Sequence, residues 1–205
     1  MKNRIITISR EFGSGGRTIG KKVAEKLGIL CYDSELIEKV ASESGFNANY
    51  IKDAGEYAPG GFLSSAFSHR SSGPNNADYL WTIQYKIITE LAEKGPCVIV
   101  GRCADYALAD YPNVVSVFIC ADEEVKIQEL MKRHNITRDK AKDVMIKTDK
   151  QRSGYYNYYS SKRWGSSKSY NLCINSSVVG IDGAVEIIKE FAKKKQEFLK
   201  INENA

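Results

Sequence analysis

No two of the five cysteines stand in a C-x-x-C pair, and the two histidines, His69 and His134, lie far apart in the chain. That pattern argues against a zinc site and against a His-centred catalytic dyad. Cys31, Cys97, Cys103, Cys120 and Cys173 mostly sit in or beside short apolar runs, so they read as reduced, small, buried side chains. No apolar run reaches membrane-spanning length. The basic Met1-Lys2-Asn3-Arg4 start precedes too short an apolar run for a secretory signal, which leads to the expectation of a cytoplasmic protein. Nor is there an internal repeat or a strong charge imbalance. The net charge of +5 allows anionic substrates without arguing for nucleic acid. With 42% hydrophobic and 27% charged residues in 205, the composition is that of one soluble globular domain.

What the chain does have is concentrated near its start, in ITISREFGSGGRTIGKKVAEKLG. A β-branched run (Ile5, Ile6, Thr7, Ile8) enters a turn with Gly13, Gly15 and Gly16, and an amphipathic stretch with Ile19, Val23, Ala24 and Leu27 follows. Strand, glycine loop and helix in that order read as a phosphate cradle, although a glycine-rich turn before a helix is also a common plain connection. Glycines let backbone N–H groups approach an anion, and the helix adds unsatisfied N–H groups and the positive end of its dipole. Against the usual pattern of Gly, four residues, Gly, Lys, Ser/Thr, Gly16 and Thr18 fit. Glu11 replaces the first glycine and Arg17 the lysine. Arg17 keeps the charge but presents a planar fork in place of a point charge.

Further along, strands and helices alternate. Gly28 caps the first helix and Ile29 to Tyr32 forms a second strand, stopped by Asp33-Ser34. Asp33 is either the N-cap of a following helix or a carboxylate at the ligand-facing end of a strand, and one residue can do both. Residues 47–57 suggest a short helix and 59–74 a Gly/Ser-rich loop. A helical pattern from Asn76 stops at Gly95-Pro96. Cys97 to Val100 has the continuous apolar character of a buried parallel strand, and Gly101-Arg102 follows at its carboxyl end, where open α/β sheets bind ligands. Arg102 is thus either a site residue or a surface cation. Val114 to Cys120 is a fourth strand, followed by a helix capped by Asp122 and bearing Val125, Ile127, Leu130 and Met131. Another helix begins at Thr137, Leu172 to Asn175 is a fifth strand, and a terminal helix begins at Asp182. The alternation predicts a parallel α/β sheet with right-handed crossovers.

Between Lys150 and Ile181 there is no Asp or Glu, while Lys150, Arg152, Lys162, Arg163 and Lys168 share the segment with Tyr155, Tyr156, Tyr158, Tyr159 and Trp164. A solvated basic face, aromatic packing within a lid, and base stacking all remain open readings.

The amino-terminal stretch, together with CYDSELIEKVA, VIVGRCADYAL, YYNYYSSKRWG and SYNLCINSS, resembles the bacterial cytidylate-kinase-like family of the nucleoside monophosphate kinases. The matching segments span almost the whole chain, and arginine at the lysine position is usual in that branch. The resemblance implies a three-layer P-loop kinase fold in one domain over 1–205, with a five-stranded parallel sheet flanked by helices. It also implies a helical acceptor-binding insertion over 34–94 and a lid region over 133–168.

It further implies transfer of the γ-phosphoryl of ATP, with Mg²⁺, to a nucleoside monophosphate, cytidylate (CMP or dCMP) foremost, or to a related small acceptor. In that reading Gly13, Ser14, Gly15, Gly16, Arg17 and Thr18 bind the donor phosphates, and Thr18 places the metal. Asp33, Arg102 and Asp105 serve the acceptor. Arg17, Arg102, Arg152, Lys162 and Arg163 neutralise charge on the transferring group, and Arg133, Arg152, Lys162 and Arg163 belong to the lid. Two alternatives from other classes are a nucleotide-binding regulator without turnover and, less favoured because it leaves the glycine loop unexplained, a single-stranded nucleic-acid binder.

Overall fold

The computed structural model describes residues 4–33, 42–43 and 76–203. The expected helix over 47–57, the loop over 59–74 and most of the proposed insertion lie outside these residues. The five strands are β1 (Ile5–Arg10), β2 (Leu30–Tyr32), β3 (Cys97–Val100), β4 (Val114–Cys120) and β5 (Leu172–Asn175). They form one parallel sheet in the order β2-β3-β1-β4-β5. Ile5 pairs with Cys97 on one side and Val114 on the other, which puts β1 at the centre with its glycine loop between the ends of β3 and β4.

Alternation along the strands sends side chains to two apolar layers. Ile6, Ile8, Val98 and Val100 pack with Ile19 and Val23 of α1 (Gly16–Leu27) and with Val185 and Ile188 of the terminal helix. Ile5, Cys97 and Ile99 face the opposite layer, with Ile87, Ile88 and Leu91 of α2 (Asn76–Lys94) and Ala104 and Ala107 of α3 (Ala104–Ala107). Each fully buried isoleucine contributes about 1.5–3 kcal/mol relative to exposure. Near-continuous apolar strands are what a sheet covered on both faces requires. A third element pair, α4 (Glu123–His134) and α5 (Arg138–Tyr159), joins through Ile127, Leu130, Ala141 and Met145, with Phe12 of the glycine loop packed against them.

Most element boundaries agree with the sequence pattern, including the left-handed cap at Gly28 and the Thr137 side chain accepting from the Lys140 N–H. Four details differ. β1 runs two residues past Ile8, because Ser9 and Arg10 continue the ladder with Phe118 and Ile119 of β4. The last helix, α6 (Ser176–Glu203), begins before Asp182 and is broken at Gly180, whose φ of 69° is non-helical. Asp122 occupies the N-cap position of α4, but its carboxylate accepts from Asn175 instead of from the helix, and Val125 is exposed. All five thiols are free, yet Cys173 is exposed, since it lies on the edge strand β5.

Among the described residues no helix is long and apolar enough to cross a membrane.

Candidate functional site

The glycine loop, residues 11–15, leaves β1 and enters α1 through Gly15, which serves as N-cap in the left-handed region at φ 75°. A residue with a Cβ is disfavoured there, and Ile181 Cδ1 would meet it at 2.4 Å. The first bond inside the helix runs from the Ile19 N–H to the Gly15 carbonyl. The amides of Gly16, Arg17 and Thr18 therefore lack acceptors within the helix and point out of its first turn. Arg17 and Thr18 are exposed, and Arg17 Nε donates to the Asp33 carboxylate at the end of β2. Ser14 is buried, and its hydroxyl donates to the Glu11 carbonyl at 2.9 Å, so it shapes the turn from inside. Gly13 has φ 88° and lies against Lys126.

Glu11, the departure from the usual glycine, pins the loop to the start of α4. It accepts from the Ala121 N–H at 3.2 Å and from Lys126 Nζ at 2.8 Å, in an ion pair whose side chains are 24% and 10% exposed. Charge-assisted bonds at that burial hold geometry well, since a broken partner leaves a charge stranded. The loop is also gripped from α5. Asp149 accepts from the Phe12 N–H at 2.7 Å, Arg152 Nη1 donates to the Arg10 carbonyl at 3.3 Å, and the Arg152 guanidinium lies 5.4 Å from the Phe12 ring centroid. Burial lifts the Asp149 carboxyl to about 6, against the pull of the Phe12 N–H and Arg152. The helix bearing part of the expected lid is thus wired directly to the phosphate loop.

At the end of β3 the backbone makes an unusual turn. Gly101, Arg102 and Cys103 all lie at positive φ, 76°, 59° and 51°. For the two non-glycine residues that conformation costs of order 1–3 kcal/mol each. Buried Gln84 supports the turn by donating Nε2 to the Arg102 carbonyl and to Tyr155 Oη, both at 3.1 Å. A crevice opens here at the carboxyl ends of β1 and β3, lined by Arg10, Arg102 and Arg152 with Tyr155, Tyr156 and Trp164. Asp105, one turn on, is 3% exposed and accepts from Tyr156 Oη at 2.7 Å. Burial raises its carboxyl above the ordinary range, partly offset by the Tyr156 bond and the field of Lys162.

Of the sequence-selected residues, the structure gathers Arg102 and Arg152 in one crevice, places Asp105 behind it, and sets Arg17, Thr18 and Asp33 at the glycine loop. Lys162 and Arg163 are exposed on the segment after α5, and Arg133 is exposed at the end of α4, paired with Glu129 at 2.5 Å. The tyrosines of the basic segment pack among themselves and their neighbours. Tyr155 and Tyr156 are buried, Tyr159 stacks on Trp81 at 4.7 Å, and Trp164 meets Phe118 edge-on at 5.2 Å. Sequence reasoning passed over Arg10, Asp149 and the Glu11–Lys126 pair. For Arg10 a signal was present, because it stands at the carboxyl end of β1 just as Arg102 stands at the end of β3.

Among the described residues no three His, Cys, Asp or Glu side chains converge as a metal cage. Mg²⁺ needs none, since it leans on one or two carboxylates, substrate phosphates and water. Thr18, exposed on the first turn of α1, and the Asp33 carboxylate, held by the adjacent Arg17, are oxygen donors of the kind that demand calls for.

A parallel sheet in this order, with a glycine loop and helix at its central strand, is an α/β P-loop kinase fold, and a family match makes the chain a P-loop kinase-type phosphotransferase acting on small molecules. The family model for the cytidylate kinase-like family matches residues 5–178, and the chain belongs to that family. A cytidylate kinase of Archaeoglobus fulgidus is 28% identical over 199 residues, covering 93% of this chain and 96% of its own. An uncharacterized protein from Eubacterium ventriosum has a solved structure that superimposes with a TM-score of 0.73 at 32% identity, over 92% of this chain and 98% of that one. Shikimate kinase from Bacteroides thetaiotaomicron shares the fold at a TM-score of 0.54 and 16% identity, over 92% of this chain and 98% of its own. Membership of the family implies dependence on ATP and Mg²⁺.

Proposed function

We propose that the protein transfers the γ-phosphoryl of ATP to a nucleoside monophosphate, with cytidylate (CMP or dCMP) the first acceptor to test. The observation that carries this reading is the meeting of Arg102 and Arg152 in one crevice beside the glycine loop, at the ligand-binding edge of the sheet. Similarity to a cytidylate kinase along nearly the whole chain supports the choice of acceptor.

In this mechanism the first-turn amides of Gly16, Arg17 and Thr18, with the Arg17 guanidinium, bind the donor phosphates. Gly13, Ser14 and Gly15 supply the shape of the loop. Thr18 and Asp33 would hold Mg²⁺, which spreads and neutralises charge on the phosphoryl oxygens. Arg102 grips the acceptor phosphate by its fork and aligns the attacking oxygen, and Asp105 steadies the turn that carries it. An acceptor phosphate, with a second pKa of about 6, is already anionic near neutrality, so no general base is needed. Arg152 neutralises developing charge from the α5 side. Exposed Lys162, Arg163 and Arg133 are assigned to a lid over 133–168 that closes on the bound pair, and residues 34–94 to the acceptor side.

The test is ADP release with MgATP against the common nucleoside monophosphates and a panel of small hydroxylated acids and alcohols. Acceptor-dependent turnover with a monophosphate supports the proposal. Turnover confined to a hydroxylated acid or alcohol replaces the acceptor class, and nucleotide binding without any turnover favours a regulator.

A further inference from the structure

Arg10 does two things at once. Its backbone is the last rung of β1, paired with Ile119, and its carbonyl accepts from Arg152. Its side chain runs across the junction between the phosphate loop and the turn that carries Arg102. A Cβ placed on Gly16 would sit 2.5 Å from Arg10 Cβ, and one placed on Gly101 would sit 2.4 Å from Arg10 Nη1 and 3.1 Å from Cζ. The stem therefore lies on the first residue of α1 and the guanidinium on the acceptor turn. Those two glycines are what make room for it. At its head the side chain joins Arg102 and Arg152 in lining the crevice, and the fields of Arg102 and Arg10 both reach the Cys103 thiol.

Three guanidiniums from three different elements (β1, the turn after β3, and α5) line one small space, each a planar fork of N–H donors. Planar forks arranged around a point suit a tetrahedral oxyanion, whose oxygens accept paired hydrogen bonds in several directions. We propose that this crevice is a phosphate-monoester site in which Arg10 is a direct ligand. Because it spans loop and turn, Arg10 holds the phosphate that passes between donor and acceptor. That last assignment rests on the kinase reading above, whereas the binding of a phosphate group by Arg10 does not.

The site carries its own reporter. Trp81 and Trp164 are the two tryptophans, and Trp164 lines the crevice. In Trp81→Phe protein, inorganic phosphate and CMP are titrated separately at constant ionic strength, with Trp164 fluorescence and calorimetry as readouts. Both ligands are expected to change the Trp164 signal, and Arg10→Gln is expected to weaken each at least about tenfold, the scale of losing a hydrogen bond to a charged group. The response should persist in Lys189→Gln, a control on α6 whose side chain pairs with Glu186. Arg10→Lys keeps the stem on Gly16 and the charge but loses the fork, and is expected to fall between wild type and Arg10→Gln. It also decides the matter if Arg10→Gln fails to fold. Absence of a phosphate response in the parent protein overturns the proposal. So does equal affinity in the parent and the folded Arg10 variants. An Arg10-dependent phosphate site in a protein that shows no transfer to any monophosphate leaves this inference standing and removes the kinase reading.

Discussion

Replacing Asp149 with asparagine is expected to stabilise the protein at neutral pH and to leave its stability unchanged in acid. The carboxylate sits between α5 and the glycine loop, where it accepts from the Phe12 N–H, and burial lifts it from an ordinary 3.8 to about 6. A raised folded-state value means the native protein binds the proton more tightly than the unfolded chain. Between about 4 and 6, stability therefore falls as pH rises, and the full penalty is present above 6. At 1.36 kcal/mol per pH unit the gap is worth about 3 kcal/mol, and about half of that is the working figure because the side chain keeps some contact with water. Asparagine supplies a similar carbonyl oxygen to the Phe12 N–H and carries no charge. For a chain of this size, about 1.5 kcal/mol is roughly 3–6 °C in Tm. The assay compares melting temperatures of wild type and Asp149→Asn at pH 4, 5.5 and 7.5. Exposed carboxyls such as Glu124, held near 2 by Arg138, are common to both proteins and cancel in the difference. A variant less stable than wild type at pH 7.5, or a difference that does not grow with pH, would refute the reasoning and make Asp149 a net favourable partner of Arg152 and Lys126.

Arg102→Lys should weaken acceptor use far more than ATP affinity, with a loss of order 10²-fold for misplacing a reacting group, and parallel losses in both would put Arg102 on the donor side or in the structure. Arg17→Ala should abolish most of the thermal stabilisation by MgATP, about 2.7 kcal/mol at one hundred times Kd in wild type, while the unliganded Tm shifts by less, because the Arg17 side chain is 55% exposed even though that of its partner Asp33 is only 12% exposed. Tyr156→Phe should cost about 1–3 kcal/mol in chemical denaturation, since the buried Asp105 carboxylate loses its 2.7 Å donor, and an unchanged midpoint would show that water replaces the phenol. Hydrogen exchange should find the backbone around Tyr155 and Tyr156 protected without ligand and the backbone from Lys162 to Lys168 less so, whereas uniform fast exchange over both would contradict the packing of the aromatic cluster.

The elements were legible because their signals are local. Apolar runs bounded by Gly, Pro and Asp marked the strands, 3.6-residue periodicity marked the helices, and three glycines before a helix marked the anion cradle. Strand alternation with helices was enough for a parallel sheet, and the resemblance of several segments to one kinase family supplied the expectation of a P-loop kinase fold. The same local reasoning placed Arg102 at a ligand edge, because a strand's carboxyl end is a property of chain order. It extended to Arg10 just as well, but the glycines that follow drew the reading past it.

Tertiary structure alone decided how these pieces meet. Which strand is central is set by hydrogen-bond pairing across long sequence separations, and it put β1 between β3 and β4. Glu11 finds Lys126 and Asp149 finds the Phe12 amide only because α4 and α5 fold back over the loop. The basic aromatic stretch divides in the same way. Tyr155 and Tyr156 go inside, since one face of α5 meets β4 and the turn after β3, whereas Lys162 and Arg163 stay in water beyond the end of that helix. Residue types and spacing define what each segment is able to do, and the packing of distant segments selects which of those capacities are used.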